Sequence, residues 1–165
     1  MFEAYDDTDD VPNIVVDGSP NQSTVLALTH WPGIAQPDGL GADLSAAMAF
    51  RYLDDPAVHA PAEVITNNHF DQDGLVGVHA LIDPNRSRRH RELLIDVASA
   101  GDFATCRHRS SARASMAIWS YAQPDRSPLG KRLDAPYADQ CALLYETTLP
   151  LLLPMMLEPK RFEEL

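Results

Sequence analysis

Three short apolar runs, each stopping at polar residues able to carry chemistry, constrain this chain more than any other feature. Asn13-Ile14-Val15-Val16-Asp17 is β-branched and ends at the turn Gly18-Ser19-Pro20. Thr24 to His30 is a second run, closed by Trp31-Pro32-Gly33, and Glu63 to Asn68 is a third, followed by the turn Asp71-Gln72-Asp73-Gly74. Runs this short read as strands rather than helices. Between the second and third, Leu44, Ala47, Met48 and Tyr52 recur at helical spacing, with Asp43 or Ser45 as the expected cap and Asp54-Asp55-Pro56 as the stop. Helical patterns follow at 75–82, at 85–100 with Gly101 as C-cap, at 111–122 and at 137–148, after which prolines 150, 154 and 159 are expected to break the chain. The expected fold is α/β: a parallel sheet of few strands in the N-terminal half, flanked by helices, and a helical C-terminal half covering it.

A chain of 165 residues suits one domain. Residues 1–12 hold five acids and read as a mobile acidic N-terminus, leaving 13–165 as a single α/β domain. Arg161 to Leu165 are helix-forming residues with no stop signal, as expected of a chain truncated before a C-terminal domain. The formal net charge of −11 excludes a general nucleic-acid-coating protein. It leaves room for a phosphorylated substrate, because a divalent cation inverts the local charge logic. Cys106 and Cys141 show no zinc spacing and are expected to be buried, unpaired thiols. The acidic N-terminus is unlike a signal peptide, and the apolar stretch Leu149 to Leu157 is about half a membrane span. A cytoplasmic protein with no membrane partner is expected, acting alone or as a homodimer.

The sharpest chemical feature is Asn67-Asn68-His69-Phe70-Asp71-Gln72-Asp73-Gly74. In extended backbone, residues i, i+2 and i+4 point to one side. His69, Asp71 and Asp73 are therefore expected to converge on a metal ion at the carboxyl end of a strand, where open α/β sheets place their ligands. Imidazole with carboxylates suits manganese, magnesium, iron or zinc, and a carboxylate-rich site with open positions leans to manganese or magnesium. A calcium loop is excluded, because its twelfth position falls on Ile82 rather than a glutamate. The plainer alternative is an Asx turn capping a helix, with His69 idle. Gly74 and the following helix N-terminus offer a place for a phosphate. Asp17, at the end of the first strand, and Asp102, after a later helix, are candidate further ligands, with Asp43 also available. His30 is a ligand or a proton donor, so His30 and Asp73 are the expected catalytic pair. Ser19 and Asn21 are small polar residues able to line a phosphate site. Seven of the 13 bases lie between 86 and 113, and Arg88 and Arg89 are the expected substrate-binding members of that patch. Pairing with acids such as Glu92 and Asp96 would also account for it.

His-Phe-Asp-Gln-Asp-Gly-Leu after a strand resembles the metal-binding signature of the DHH phosphoesterase superfamily. Its members include single-strand exonucleases, nano-RNases, cyclic-dinucleotide phosphodiesterases, exopolyphosphatases and manganese pyrophosphatases. The resemblance implies a two-metal centre on a doubly wound parallel sheet, with Asp71 and Asp73 as ligands and His69 a third. The whole chain also resembles a bacterial family sharing the segments DGSPNQST, THWPG and NNHFDQDG. An Asp-His-His triplet does not occur; Thr29-His30-Trp31-Pro32-Gly33, with one histidine, is its nearest analogue. The expected function is a manganese- or magnesium-dependent phosphoesterase acting on a small phosphorylated substrate or a short oligonucleotide. The missing triplet motivates the alternative of a non-catalytic ligand-binding or interaction module.

Overall fold

The computed structural model describes residues 1–162; Glu163, Glu164 and Leu165, part of the segment expected to continue as helix, lie outside the described residues. Three parallel strands, β1 (Asn13–Val16), β2 (Thr24–Leu28) and β3 (Val64–Thr66), form a sheet in the order β2-β1-β3. The central strand β1 is buried along its whole length, which is why it reads as an unbroken apolar run instead of an alternating one. Parallel neighbours usually need a dozen or more connecting residues. Here residues 17–23 suffice, because β1 has only four residues and spans about 13 Å.

Segment 1–12 is docked, which corrects the expectation of a mobile lead-in. Glu3 N donates to the Ile65 carbonyl at 3.1 Å, Ile65 N donates to the Met1 carbonyl at 2.8 Å, and Phe2 stacks on Tyr145 with centroids 4.8 Å apart. The Tyr5 hydroxyl donates to the Ser19 carbonyl at 3.0 Å. Acidic composition misleads here because the open edge of β3 offers unpaired backbone groups that any sequence can bond.

Around the sheet lie α1 (Ser45–Asp54), α2 (Gln72–Ile82), α3 (Pro84–Arg89), α4 (Arg91–Asp102), α5 (Arg109–Ala122), α6 (Tyr137–Thr148) and α7 (Leu152–Leu157). Ile14, Val16 and Leu28 from the sheet share one core with Phe50, Leu75, Leu94, Ile118 and Leu152 from the helices. The pattern at 85–100 is two helices: α3 ends at Arg89, and the N–H of the following His90 reaches back only to the Ser87 carbonyl, at 3.0 Å. Gly101 is not a C-cap. It lies in the last turn of α4, where a Cβ would come within 2.8 Å of Gln72, so its role is close approach to α2. Pro150 tightens the chain into a 3-10 turn without ending it, and Tyr137–Leu157 runs on as one helical stretch. That stretch is long and apolar enough by composition to cross a membrane, but Tyr145, Leu152, Leu153 and Met155 are buried in this core. Both cysteines are unpaired; Cys141 is buried as expected, and Cys106 is exposed.

Candidate metal centre

Because the three strands run the same way, their carboxyl ends collect Asp17, His30 and the turn after β3 at one edge. Asp17 ends the central strand in a left-handed conformation, φ 55°, which aspartate tolerates better than most residues. Its Oδ1 accepts from Trp31 Nε1 at 3.1 Å and from Ser45 Oγ at 2.8 Å. His30 follows β2, and its Nε2 faces three carboxylates: Asp17 at 3.5 Å, Asp73 at 3.7 Å and Asp102 at 3.2 Å. Asp102 arrives from the last turn of α4. His69 Nε2 lies 3.0 Å from Asp71 Oδ2, and its Nδ1 lies 3.2 Å from the Tyr137 hydroxyl.

His69, Asp71 and Asp73 do not converge on one point. Alternation stops at Gln72, where α2 begins. Asp71 is the N-cap of α2 and accepts from Gly74 N at 2.8 Å. Asp73 is already helical and turns toward α1, where its carboxylate accepts from Ser45 N at 2.7 Å and Ala46 N at 2.9 Å. A distant carboxylate therefore caps α1 in place of Asp43, which is exposed, or Ser45, whose hydroxyl is committed to Asp17.

Two ligand trios result. Asp17, His30 and Asp73 form one, and Asp17, His69 and Asp71 the other, with the ligand atoms of each trio within 4.8 Å of one another. Asp17 belongs to both. Carboxylate and imidazole donors grouped in this way could hold a metal ion.

The electrostatics also fit a cation. Among the described residues, no lysine or arginine pairs with Asp17, Asp71, Asp73 or Asp102. Burial, with the charges of Asp71 and Asp73, pushes the Asp17 carboxyl up to about 9. Burial pushes Asp73 up to about 7 against the opposing α1 N–H groups, and Asp102 is raised by burial and by Asp71. Asp71 moves the other way: its burial is outweighed by hydrogen bonds from His69 and Gly74 N–H. The bond to Asp71 raises His69 against its own burial. Buried carboxylates crowded together without a fixed positive charge are the environment a divalent ion resolves.

The turn carrying His69 is fixed from behind by Asn67, which opens the motif, and by Tyr145, which belongs to none. Asn67 Nδ2 donates to the Tyr145 hydroxyl at 2.7 Å, that hydroxyl donates to the His69 carbonyl at 2.9 Å, and His69 N donates to Asn67 Oδ1 at 2.8 Å. Gly74 packs into this ring. A Cβ there would lie 2.5 Å from the Tyr145 hydroxyl, 2.6 Å from Asn67 Nδ2 and 3.4 Å from Asp17 Oδ2. Gly74→Ala is expected to cost about 1–3 kcal/mol by overpacking, read from the urea midpoint of the metal-free protein; an unchanged midpoint would contradict this packing.

Of the expected substrate-binding residues, Gly74 lies at the cluster and Ser19 follows Asp17 at the same edge, whereas Asn21, Arg88 and Arg89 do not gather there. Gly74 N–H is committed to Asp71 and is not free for an anion. Ser19 N donates to Asn68 Oδ1 at 2.9 Å, and Asn21 bonds Thr8 and Asn13 at the opposite, amino end of β1. Arg88 and Arg89 precede α4, whose twelve residues make a rod of about 18 Å with Asp102 at its far end. Solvent reaches the cluster beside His30, which borders a groove of about 310 Å³ with Gln36, Ala42, Asp43 and Phe103.

No curated protein and no solved structure matches the chain. A family described as a family of unknown function (DUF6687) matches residues 1–165, and the chain belongs to that family.

Proposed function

We propose that this chain is a phosphoesterase that hydrolyses a phosphodiester or phosphoanhydride with two divalent cations, manganese or magnesium. The observation that carries this reading is the pair of ligand trios sharing Asp17. When bound, such cations bring the pKa of a water molecule near neutrality and balance the charge on phosphoryl oxygens. Asp17 would bridge them, with His30 and Asp73 completing one site and His69 and Asp71 the other. Trp31 and Ser45 hold the Asp17 carboxylate in place, and the Asn67–Tyr145 ring holds the His69 turn. Asp102 lies 3.2 Å from His30 Nε2, with its side chain 14% exposed. Its raised pKa suits it to take up the proton released by the attacking water. The DHH-like signature supports the same chemistry. The modest groove and the net charge of −11 favour a small phosphorylated substrate or a short oligonucleotide. Unpaired thiols are in keeping with the reducing cytoplasm.

One observation favours a second reading. Asp71 and Asp73 both accept helix N–H groups, as a purely structural capping network would require. The two readings separate in one experiment: load the protein with manganese, desalt it, measure retained metal, and assay bis(p-nitrophenyl) phosphate. About two equivalents per chain and manganese-dependent hydrolysis are expected. No retained metal and no hydrolysis would leave a non-catalytic module.

A further inference from the structure

A second groove shares no lining residue with the metal cluster. It has a volume of about 550 Å³ and is bordered by Arg88, Arg89, Arg91, Asp96, Arg107 and His108. Four guanidinium groups around one groove stand out in a chain of net charge −11. Their acidic partners are few. Arg88 and Arg91 share a single carboxylate: Arg88 Nε lies 3.7 Å from Asp54 Oδ1, and Arg91 pairs with the other oxygen. Arg91 is also held over the Phe50 ring, 5.0 Å from its centroid. The acid inside the groove is already committed. Asp96 accepts from Arg107 N at 2.9 Å and from His108 N at 2.8 Å, and faces His108 Nδ1 at 3.1 Å. Glu92, at the rim, is exposed and lies 3.8 Å from His108 Nε2. The guanidinium groups of Arg89 and Arg107 have no acidic partner among the described residues.

We propose that this groove binds a compact, multiply charged oligophosphate at a site separate from the metal cluster. Guanidinium forks match phosphate oxygens two at a time, and two of them stand free here. The Asp96 hydrogen bonds fix the backbone from which Arg107 projects, so that one wall of the groove is pre-set before an anion arrives. The negative field of the whole chain disfavours a long polyanion, whereas a short one fits within the groove and meets only the local positive charge. Nothing in this site depends on the phosphoesterase reading.

The test is calorimetric titration of the protein, held in EDTA so that no cation can carry the anion, with inorganic triphosphate. Binding at one triphosphate per chain is expected. Arg89→Ala should weaken it about tenfold and the Arg89→Ala/Arg107→Ala double variant about a hundredfold, since each removes a charge-assisted contact. Both side chains are exposed and without acid partners, so the melting temperature of each variant should match that of the wild type. No binding by the wild type would overturn the proposal, as would equal affinity in a double variant that melts normally. Tighter binding of a short single-stranded oligonucleotide than of triphosphate would overturn it as well.

Discussion

Replacing Asp17 with asparagine is expected to release both metal equivalents together and bring phosphodiester hydrolysis to background. Asparagine tolerates the left-handed backbone at φ 55° and keeps a carbonyl oxygen for Trp31 Nε1 and Ser45 Oγ. What it removes is the charge common to both trios. Asp73→Asn touches one trio and should leave about one equivalent. The metal-free Asp17→Asn protein should match the wild type in stability near neutral pH, where the raised Asp17 carboxyl is already protonated, and exceed it above about 9, where that carboxyl would otherwise be charged beside Asp71 and Asp73. Elemental analysis and thermal melts read both effects. Retention of one equivalent by Asp17→Asn, with loss of both by Asp73→Asn, would move the bridging position away from Asp17.

The second large effect is a pH-dependent stabilisation by manganese. Asp17 and Asp73 carry carboxyl groups raised from 3.8 to about 9 and about 7. The folded chain then binds their protons more tightly than the unfolded chain does. Their contribution to stability is complete below 3.8, and is lost as pH rises through about 7 for Asp73 and about 9 for Asp17. His69, also raised, loses its contribution in the same direction. Asp71 is lowered and opposes them: its contribution is present above the ordinary carboxylate value and is lost as pH falls. Within the cluster four raised groups, Asp102 included, stand against one, so the metal-free site loses stability as pH is brought from weakly acid to alkaline. Manganese replaces those protons, so the rise in melting temperature it causes should grow over the same interval. At a hundredfold excess over Kd the stabilisation is about 2.7 kcal/mol, or roughly 5–10 °C for a domain of this size. Melting curves with and without manganese, at about pH 5.5 and about pH 8, read the difference. An increment independent of pH would mean that no proton is displaced.

The edge at which the site forms was legible because each apolar run ends on a polar residue. Once the strands are parallel, Asp17, His30 and His69 must share that edge. Alternation failed at Asp73 because the same Asp71 that offers a ligand also caps a helix, and the cap turns the chain one residue later. The Asp-x-x-Gly spacing carried that signal, yet pointed to a phosphate site that the Asp71–Gly74 bond already fills. Arg88 and Arg89 were grouped with the site by charge alone, whereas the length of α4 sets them at its opposite end. Tyr145 had no local mark: it meets His69 from 76 residues away, through packing that also draws in Phe2. Helix α6 began at Tyr137 as its pattern required, but Pro150 and Pro154, expected to break the chain beyond it, sit within a stretch that runs on to Leu157.

The central claim is that two cations share Asp17. Anomalous diffraction from crystals grown with manganese, compared across the manganese absorption edge, tests it most directly. Two peaks are expected, one among Asp17, His30 and Asp73 and the other among Asp17, His69 and Asp71, with the Asp17 carboxylate touching both. A map without peaks, in which Asp71 keeps its partners His69 and Gly74 N and Asp73 keeps Ser45 N and Ala46 N, would contradict it.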